Sequence, residues 1–131
     1  FTPDLTKILL IHKLAPECCG KVNVFGRILE IKKLAEETHC SFCLDFAHIL
    51  ARYKTYNFDD TLSEFAKYRE LHVHFSGIEY GEKGEKHHKE TPEKELRKLL
   101  SELPKNKDII IINESPLPVK DSVLGLAIYS E

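Results

Sequence analysis

Four side chains of types that bind divalent cations recur along the chain, each just after a short apolar segment typical of a β-strand. They are Glu17, Asp45, His74 and Glu114, separated by 28, 29 and 40 residues. A (β/α)₈ barrel of about 250 residues spends about 31 on each strand–helix unit. This spacing predicts that the four side chains lie at the carboxyl ends of four consecutive parallel strands and bind one divalent cation there.

The chemistry that such a group would support is the activation of water for attack on a phosphodiester. That reaction needs several anionic oxygens and an imidazole in rigid positions, and neighbouring strands, about 4.8 Å apart, can hold them so. Each residue alone also has an ordinary interpretation, as a solvated loop carboxylate or as a histidine in the core or at a sheet edge. The prediction therefore depends on all four residues following strands in the same register.

A second candidate group consists of His48, Glu85 and His87. His48 follows Asp45 by three residues, and the other two lie in the charged, glycine-rich segment GIEYGEKGEKHHKE, which we interpret as a long functional loop. Two imidazoles and one carboxylate suit a zinc ion with room for water. His88 competes with His87 for this role, and spacing alone favours a flexible charged loop without a metal.

The four cysteines are weaker candidates. Cys40 and Cys43 form a CxxC pattern, which suggests zinc or redox chemistry. In an extended strand, however, residues three apart point to opposite faces. Cys18 and Cys19 could complete a four-cysteine site, but adjacent cysteines rarely face one ion, so the pattern favours buried or loop thiols.

Basic residues near the same strand ends are candidates for contacts with phosphate. Arg52 is favoured because its planar guanidinium matches a phosphate, and Lys86 is the second candidate. The alternative is ordinary surface charge. Further basic residues expected near the same edge are Lys13, Lys21, Lys54 and Lys83.

The elements that must position these residues alternate between strand and helix patterns. About four βα units are expected, so the predicted fold class is α/β. Because four parallel units cannot close a barrel and leave two open edges, we expect residues 1–131 to be a single domain that forms half of a TIM barrel. A self-contained small α/β domain is the alternative. The predicted strands are 7–13, 40–46, 70–75 and 108–113, and the predicted helices are 27–38, 48–53, 61–69, 92–103 and one from Asp121 or Ser122.

The composition places the chain among soluble globular proteins. It has 131 residues, 42% of them hydrophobic and 31% charged, with a formal net charge of -2. This charge argues against a long basic nucleic-acid tract, and no apolar run reaches the roughly 18 residues of a membrane span. The cysteine pattern favours a reduced, cytoplasmic protein. The sequence contains no methionine, so we expect a fragment or one chain of a split protein.

Four segments together resemble a known family. In chain order, APECCGKVNVFG, CLDFAHILAR, LHVHFSGIEYGEKGEKHH and IINESPLP resemble the last four metal-binding segments of the endonuclease IV family of apurinic/apyrimidinic endonucleases, with archaeal-type members most similar. The resemblance covers nearly the whole chain but only the C-terminal half of the family's barrel. It implies a TIM barrel with a cluster of three zinc ions that cleaves the DNA backbone 5′ to an abasic site.

The resemblance also assigns roles to the candidate residues. It implies a zinc enzyme, with Mn²⁺ or another divalent ion as alternatives, that acts on DNA containing abasic sites. Because the chain is expected to be half of a barrel, its protein partner is expected to be an N-terminal half-barrel chain or a second copy. The family more usually has Asp in place of Glu85, and the histidines that complete its first metal site lie in the absent half. By resemblance, Glu17 bridges two metals, and Glu17 and Glu114 are the catalytic residues. The second metal is bound also by Asp45, His74 and Glu114. The third metal is bound by His48, Glu85 and His87.

Two other functions are compatible with the pattern. A sugar isomerase or epimerase on a related barrel also uses Glu, Asp, His and Glu at strand ends, usually for one metal, and does not need the group of His48, Glu85 and His87. A non-catalytic half-barrel that serves only for assembly is the third possibility, because it would expose apolar strand edges.

Overall fold

The computed structural model of this protein describes residues 14–131. The predicted first strand, residues 7–13, and the basic residue Lys13 lie outside the described residues.

A parallel sheet forms the centre of the described part. Its three strands lie in the order β1 (Leu44–Asp45), β2 (Glu70–Phe75) and β5 (Asp108–Asn113). Glu17 adds a single parallel bridge to Cys43 beside β1. The carboxyl ends of all these segments therefore face the same edge of the sheet.

An antiparallel hairpin follows β2 directly. It consists of β3 (Gly77–Gly81) and β4 (Gly84–Lys89). Gly84 permits its close docking, because its backbone has a φ of +95° and a Cβ placed there would meet the carbonyl oxygen of Gly20 at 2.0 Å. The hairpin is tied to the loop after Glu17 by the Glu85 amide, which donates to the same Gly20 oxygen at 3.0 Å.

Five helices complete the described part. The helix Phe46–Tyr53 begins directly after Asp45, and the side chain of Asp45 caps it. Because the helix begins there, β1 is only two residues long. The first helix is capped by the Glu30 carboxylate, which accepts hydrogen bonds from the backbone amides of Gly26 and Arg27 at 2.9 Å each. The helices are α1 (Ile28–Thr38), α2 (Phe46–Tyr53), α3 (Phe58–Glu64), α4 (Glu93–Glu102) and α5 (Pro118–Tyr129).

The two faces of the sheet differ in chemistry. Along β2, Leu71, Val73 and Phe75 are buried in a core cluster with side chains of α1, α2 and α4. His72 and His74 alternate with them and lie on the opposite face. Burial of the apolar face thus fixes the register that directs both imidazoles to the other side.

The prediction of a TIM half-barrel with four βα units is wrong. Residues 14–131 form a small mixed α/β domain with five helices, a three-stranded parallel sheet and a two-stranded antiparallel hairpin. The segment 77–90, predicted to be an irregular loop, contains the whole of that hairpin. A bulge in β4 interrupts the alternation of side chains by which a strand is recognised in a sequence.

None of the helices described in residues 14–131 is long and apolar enough to span a membrane.

Candidate metal centre

Glu17, Asp45, His74 and Glu114 meet at the carboxyl edge of the parallel sheet. Asp45 ends β1 and lies beside His74 in the register of the two strands. Glu114 follows β5 directly, and its amide donates to the carbonyl oxygen of Phe75 at 3.0 Å, which extends the ladder by one step. The strands thus bring together residues that are up to 97 positions apart in the sequence.

His74 lies at the middle of this carboxylate–histidine cluster. Its Nδ1 is 3.2 Å from Glu17 Oε2, 3.4 Å from Glu114 Oε1 and 3.9 Å from Asp45 Oδ2. One ligand atom from each of the four residues can be chosen so that all lie within 4.8 Å of one another. Nitrogen and oxygen ligands of a tetrahedral zinc ion lie about 3.3–3.6 Å apart, so the more distant ligand atoms would have to approach one another by about 1 Å for all four to bind one ion.

The Asp45 carboxylate gives the strongest physical indication of a cation. The residue is fully buried, and Oδ1 accepts a hydrogen bond from the His48 amide at 2.9 Å. Oδ2 lies 3.2 Å from His48 Nδ1 but accepts no hydrogen bond among the described residues, because that nitrogen faces the carbonyl oxygen of Cys18 at 3.0 Å. Burial raises the pKa of Asp45 to about 7; His48 opposes this rise, while Glu17 and Glu114 add to it. A buried carboxylate oxygen without a donor is costly, and a divalent cation would compensate it.

A second group, His48, Glu85 and His88, lies next to the first. Its ligand atoms also lie within 4.8 Å of one another. His48 Nε2 is 2.8 Å from Glu85 Oε2, and the rings of His48 and His88 are 5.3 Å apart between centroids. His88 Nδ1 is 2.7 Å from the hydroxyl oxygen of Ser76. Two imidazoles and a carboxylate are a suitable ligand set for zinc.

The surroundings of His48 favour the tautomer that a metal ligand needs. Its Nδ1 lies 3.0 Å from the carbonyl oxygen of Cys18, which can only accept, so Nδ1 carries the proton. In the metal-free protein the 2.8 Å contact between Nε2 and Glu85 Oε2 requires a proton on one of these two atoms, and a cation bound there would replace that proton. Burial, the largest single effect, lowers the pKa of His48, but the carboxylates of Asp45, Glu85 and Glu17 outweigh it, and the pKa is raised.

The structure places His88, rather than the predicted His87, beside His48 and Glu85. In the hairpin, Tyr80 pairs with Glu85 and Glu79 pairs with His87, so Lys86 is an extra residue of β4 without a partner in β3. This bulge reverses the alternation of side chains, so Glu85 and His88 share the face that carries the candidate ligands. His87 is exposed on the other face.

The guanidinium of Arg52, predicted to contact DNA phosphates, instead donates to backbone carbonyls of the chain itself. Arg52 is buried, and its guanidinium donates hydrogen bonds to the carbonyl oxygens of Cys19, Val22 and Val24 at 3.0, 3.2 and 2.8 Å. It therefore holds the loop after Glu17 rather than facing solvent. Lys86 is exposed, and its contact with phosphate stays a prediction.

The other basic candidates are surface residues. Lys21 and Lys83 are exposed and remain compatible with phosphate contacts. The Lys54 ammonium group instead donates to the carbonyl oxygens of Ala51 and Gly81, so it links α2 to the hairpin.

A polar network behind the cluster holds the segment that carries Glu114. Asn113 donates from Nδ2 to Thr91 Oγ1 at 3.2 Å and accepts from the Ser115 amide at 2.9 Å. The buried Asp121 accepts from the Thr91 amide at 2.8 Å. The sequence predicts only that Asp121 or Ser122 starts a helix. In the structure, Asp121 of α5 also holds Thr91, which lies just before α4, through this hydrogen bond.

Sequence reasoning missed a third group, formed by Cys43, His72 and His74. Its ligand atoms lie within 4.8 Å of one another. The sequence pattern considers Cys43 only with other cysteines, namely Cys40 in the CxxC pattern and Cys18 and Cys19 in a four-cysteine site. The signal that could have found this group is the alternation in ELHVHF, which places two histidines on one face of β2.

Comparison with known proteins gives one informative relative. An uncharacterized protein of Methanocaldococcus jannaschii is 33% identical over 134 residues, which cover 90% of this chain and 48% of the relative. The chain thus spans about half the length of this relative. No family model matches the chain, and no solved structure matches it.

Proposed function

We propose that this chain supplies the metal centre of a metal-dependent phosphodiesterase that cleaves DNA at abasic sites. The observation that carries the proposal is the buried Asp45 Oδ2, which accepts no hydrogen bond among the described residues and lies between two imidazoles, 3.2 Å from His48 Nδ1 and 3.9 Å from His74 Nδ1. Glu17 and Glu114 complete a concentration of negative charge around that imidazole. The resemblance of the ligand segments to the endonuclease IV family supports DNA as the substrate.

In this proposal each residue of the cluster has a distinct task. A bound Zn²⁺ or Mn²⁺ would activate water and stabilise the charge that develops on the phosphate. Asp45 and His74, at the ends of paired strands, hold the ion rigidly. Glu17 and Glu114 are the more exposed ligands, with side chains 42% and 36% exposed, so they border the space that a phosphate would enter.

The second group favours a phosphodiesterase over a sugar isomerase or epimerase. An isomerase of the kind considered above usually needs one metal, whereas His48, Glu85 and His88 offer a further ligand set beside the first. His48 contacts both groups, since its Nδ1 is 3.2 Å from Asp45 Oδ2 and its Nε2 is 2.8 Å from Glu85 Oε2. Two adjacent ions are a common arrangement for in-line displacement at phosphorus.

The proposal extends to compartment and partners. All four cysteines are free, which supports a reduced, cytoplasmic location. Since the chain matches about half of its relative, further residues of a longer protein are expected to complete the surface that binds abasic DNA. Exposed lysines such as Lys86 would then contact the DNA backbone.

The decisive experiment measures cleavage of a duplex oligonucleotide with one abasic-site analogue, using the protein in its longest natural form with Zn²⁺ or Mn²⁺. Glu114→Gln should abolish metal-dependent cleavage, because it removes a ligand while keeping the size of the side chain. Glu102→Gln, at an exposed position of α4, is the matched control and should cleave normally. Undiminished cleavage by Glu114→Gln, or the absence of metal-dependent cleavage by the wild type, would contradict the proposal.

A further inference from the structure

We propose that Cys43, His72 and His74 form a separate site for a soft or borderline cation, such as Co²⁺, Zn²⁺ or Cd²⁺. This site lies on the same sheet face as the carboxylate–histidine cluster, one step toward the amino-terminal ends of the strands. It goes beyond the proposed phosphodiesterase, which uses only the carboxylates and the imidazoles near the strand ends.

The strand register brings the three side chains together. Leu44 pairs with Val73 across the sheet, so the step before it places Cys43 beside His72. The step after it pairs Asp45 with His74. Because side chains alternate between faces, Cys43 and Asp45 share one face with the two histidines.

His72 has a ring nitrogen that the protein does not use. Its Nε2 is buried as an atom and has no hydrogen-bond partner among the described residues. The His72 and His74 rings are 5.0 Å apart between centroids and meet edge to face at 78°. Ligand atoms of the two rings and the Cys43 sulfur lie within 4.8 Å of one another. A cation would therefore use a nitrogen that otherwise lacks a partner.

The ligand types separate this site from its neighbour. Thiolate and imidazole favour soft or borderline ions, whereas carboxylates favour hard ions such as Mn²⁺ and Mg²⁺. Cys43 is 1% exposed, so it is more buried than Glu17 and Glu114, the exposed ligands of the neighbouring cluster. Cys43 is also the sulfur ligand that distinguishes this site from the carboxylate–histidine cluster. His74 belongs to both ligand sets, and its removal should affect both sites.

The test is a titration of the metal-free chain with Co²⁺, followed by absorption spectroscopy. A cobalt–thiolate bond gives a charge-transfer band in the near ultraviolet, which carboxylate and imidazole ligands alone do not produce. Wild type should show this band, and Cys43→Ser should lose it. Cys40→Ser is the matched control, because Cys40 is also a buried thiol but belongs to no candidate ligand group among the described residues.

Two further variants separate this inference from the proposed function. Glu114→Gln should keep the charge-transfer band, because Glu114 is a ligand only in the carboxylate–histidine cluster. His72→Asn should lower the affinity for the band-forming Co²⁺ at least tenfold, and it tests the site even if Cys43→Ser does not fold. Absence of the band in wild type, its persistence in folded Cys43→Ser, or unchanged affinity in His72→Asn would overturn the proposal.

Discussion

His48 contacts the carboxylate of Asp45 twice, with its amide 2.9 Å from Oδ1 and its Nδ1 3.2 Å from Oδ2. Asp45 is therefore both the N-cap of α2 and a candidate metal ligand. Because His48 also faces Glu85, one short strand–helix junction positions residues of two candidate ion sites. The cap fixes the start of α2, and the start of α2 fixes the position of His48.

Asp45→Asn should separate these two tasks. Asparagine keeps an oxygen that can cap α2, but it removes the charge that a cation needs, so Mn²⁺ affinity should fall at least tenfold. In the metal-free protein the free energy of unfolding should stay equal or rise, because a buried charge is lost. Asp45→Ala also removes the cap and should be less stable than Asp45→Asn by about 1 kcal/mol. Calorimetric Mn²⁺ titration and urea denaturation in chelator measure both effects.

The stability that Asp45 contributes to the metal-free protein should be lost as the pH rises from about 4 to about 7. The pKa of Asp45 is raised to about 7 by burial, and the pKa of His48 is raised by its carboxylate neighbours despite burial. A group with a raised pKa in the folded state contributes stability below its unfolded pKa and loses it as the pH rises through the folded value. For Asp45 this loss falls between about pH 4 and about pH 7.

Urea denaturation of the metal-free protein at a series of pH values tests this prediction against Asp45→Asn. The difference in unfolding free energy, wild type minus variant, should fall as the pH rises from 4 to 8. Saturating Mn²⁺ should remove the fall, because the ion binds the deprotonated carboxylate. A pH-independent difference in chelator would show that Asp45 is not held in a destabilised ionised form.

The parallel strands were largely predictable, and the residues at their ends followed from them. Runs such as ELHVHF and DIIIIN are typical strand sequences, and the structure places strands at Glu70–Phe75 and Asp108–Asn113. Once parallel strands share an edge, Asp45, His74 and Glu114 must be neighbours there, whatever the rest of the fold. The spacing of these residues did not determine the number of strand–helix units. The half-barrel prediction is wrong, and the segment between β2 and α4 forms an antiparallel hairpin instead of a loop.

The hairpin and its ligands could not be predicted from local patterns. The bulge at Lys86 depends on how β4 pairs with β3 and docks against the loop at Gly20, which are contacts between distant segments. A one-residue shift in register exchanges His87 for His88, because neighbouring residues in a strand face opposite sides. The role of Arg52 was equally hidden, since its three acceptors are backbone carbonyls that no sequence motif marks.

His88→Ala and His87→Ala should therefore behave differently. Removal of His88 should lower the affinity for the second Zn²⁺ at least tenfold, because it removes one of three ligands in the group with His48 and Glu85. His87 is exposed on the opposite face, so its removal should leave Zn²⁺ binding unchanged. Equilibrium dialysis with metal analysis counts the ions in both variants. A larger loss in His87→Ala would mean that the hairpin pairs without the bulge.

Arg52→Met should destabilise the protein rather than merely weaken DNA binding. The substitution removes three hydrogen bonds from a buried guanidinium to the loop that follows Glu17, and hydrogen bonds to charged groups contribute about 1.5–3 kcal/mol each. Because the three bonds share one side chain and do not contribute additively, we expect a loss of at least about 3 kcal/mol in unfolding free energy. The same loop accepts the Glu85 amide at Gly20, so Zn²⁺ binding at the second group should weaken as well.

Lys86→Met is the matched control for Arg52→Met, because it removes a positive charge from an exposed position beside the same candidate sites. Its unfolding free energy should stay within about 0.5 kcal/mol of wild type, as is usual for exposed positions without specific contacts. If Lys86 contacts phosphate, affinity for abasic DNA should fall and its salt dependence should become shallower. Urea denaturation and DNA titrations at several salt concentrations separate the two residues. Equal stability of both variants would show that the Arg52 hydrogen bonds do not hold the loop.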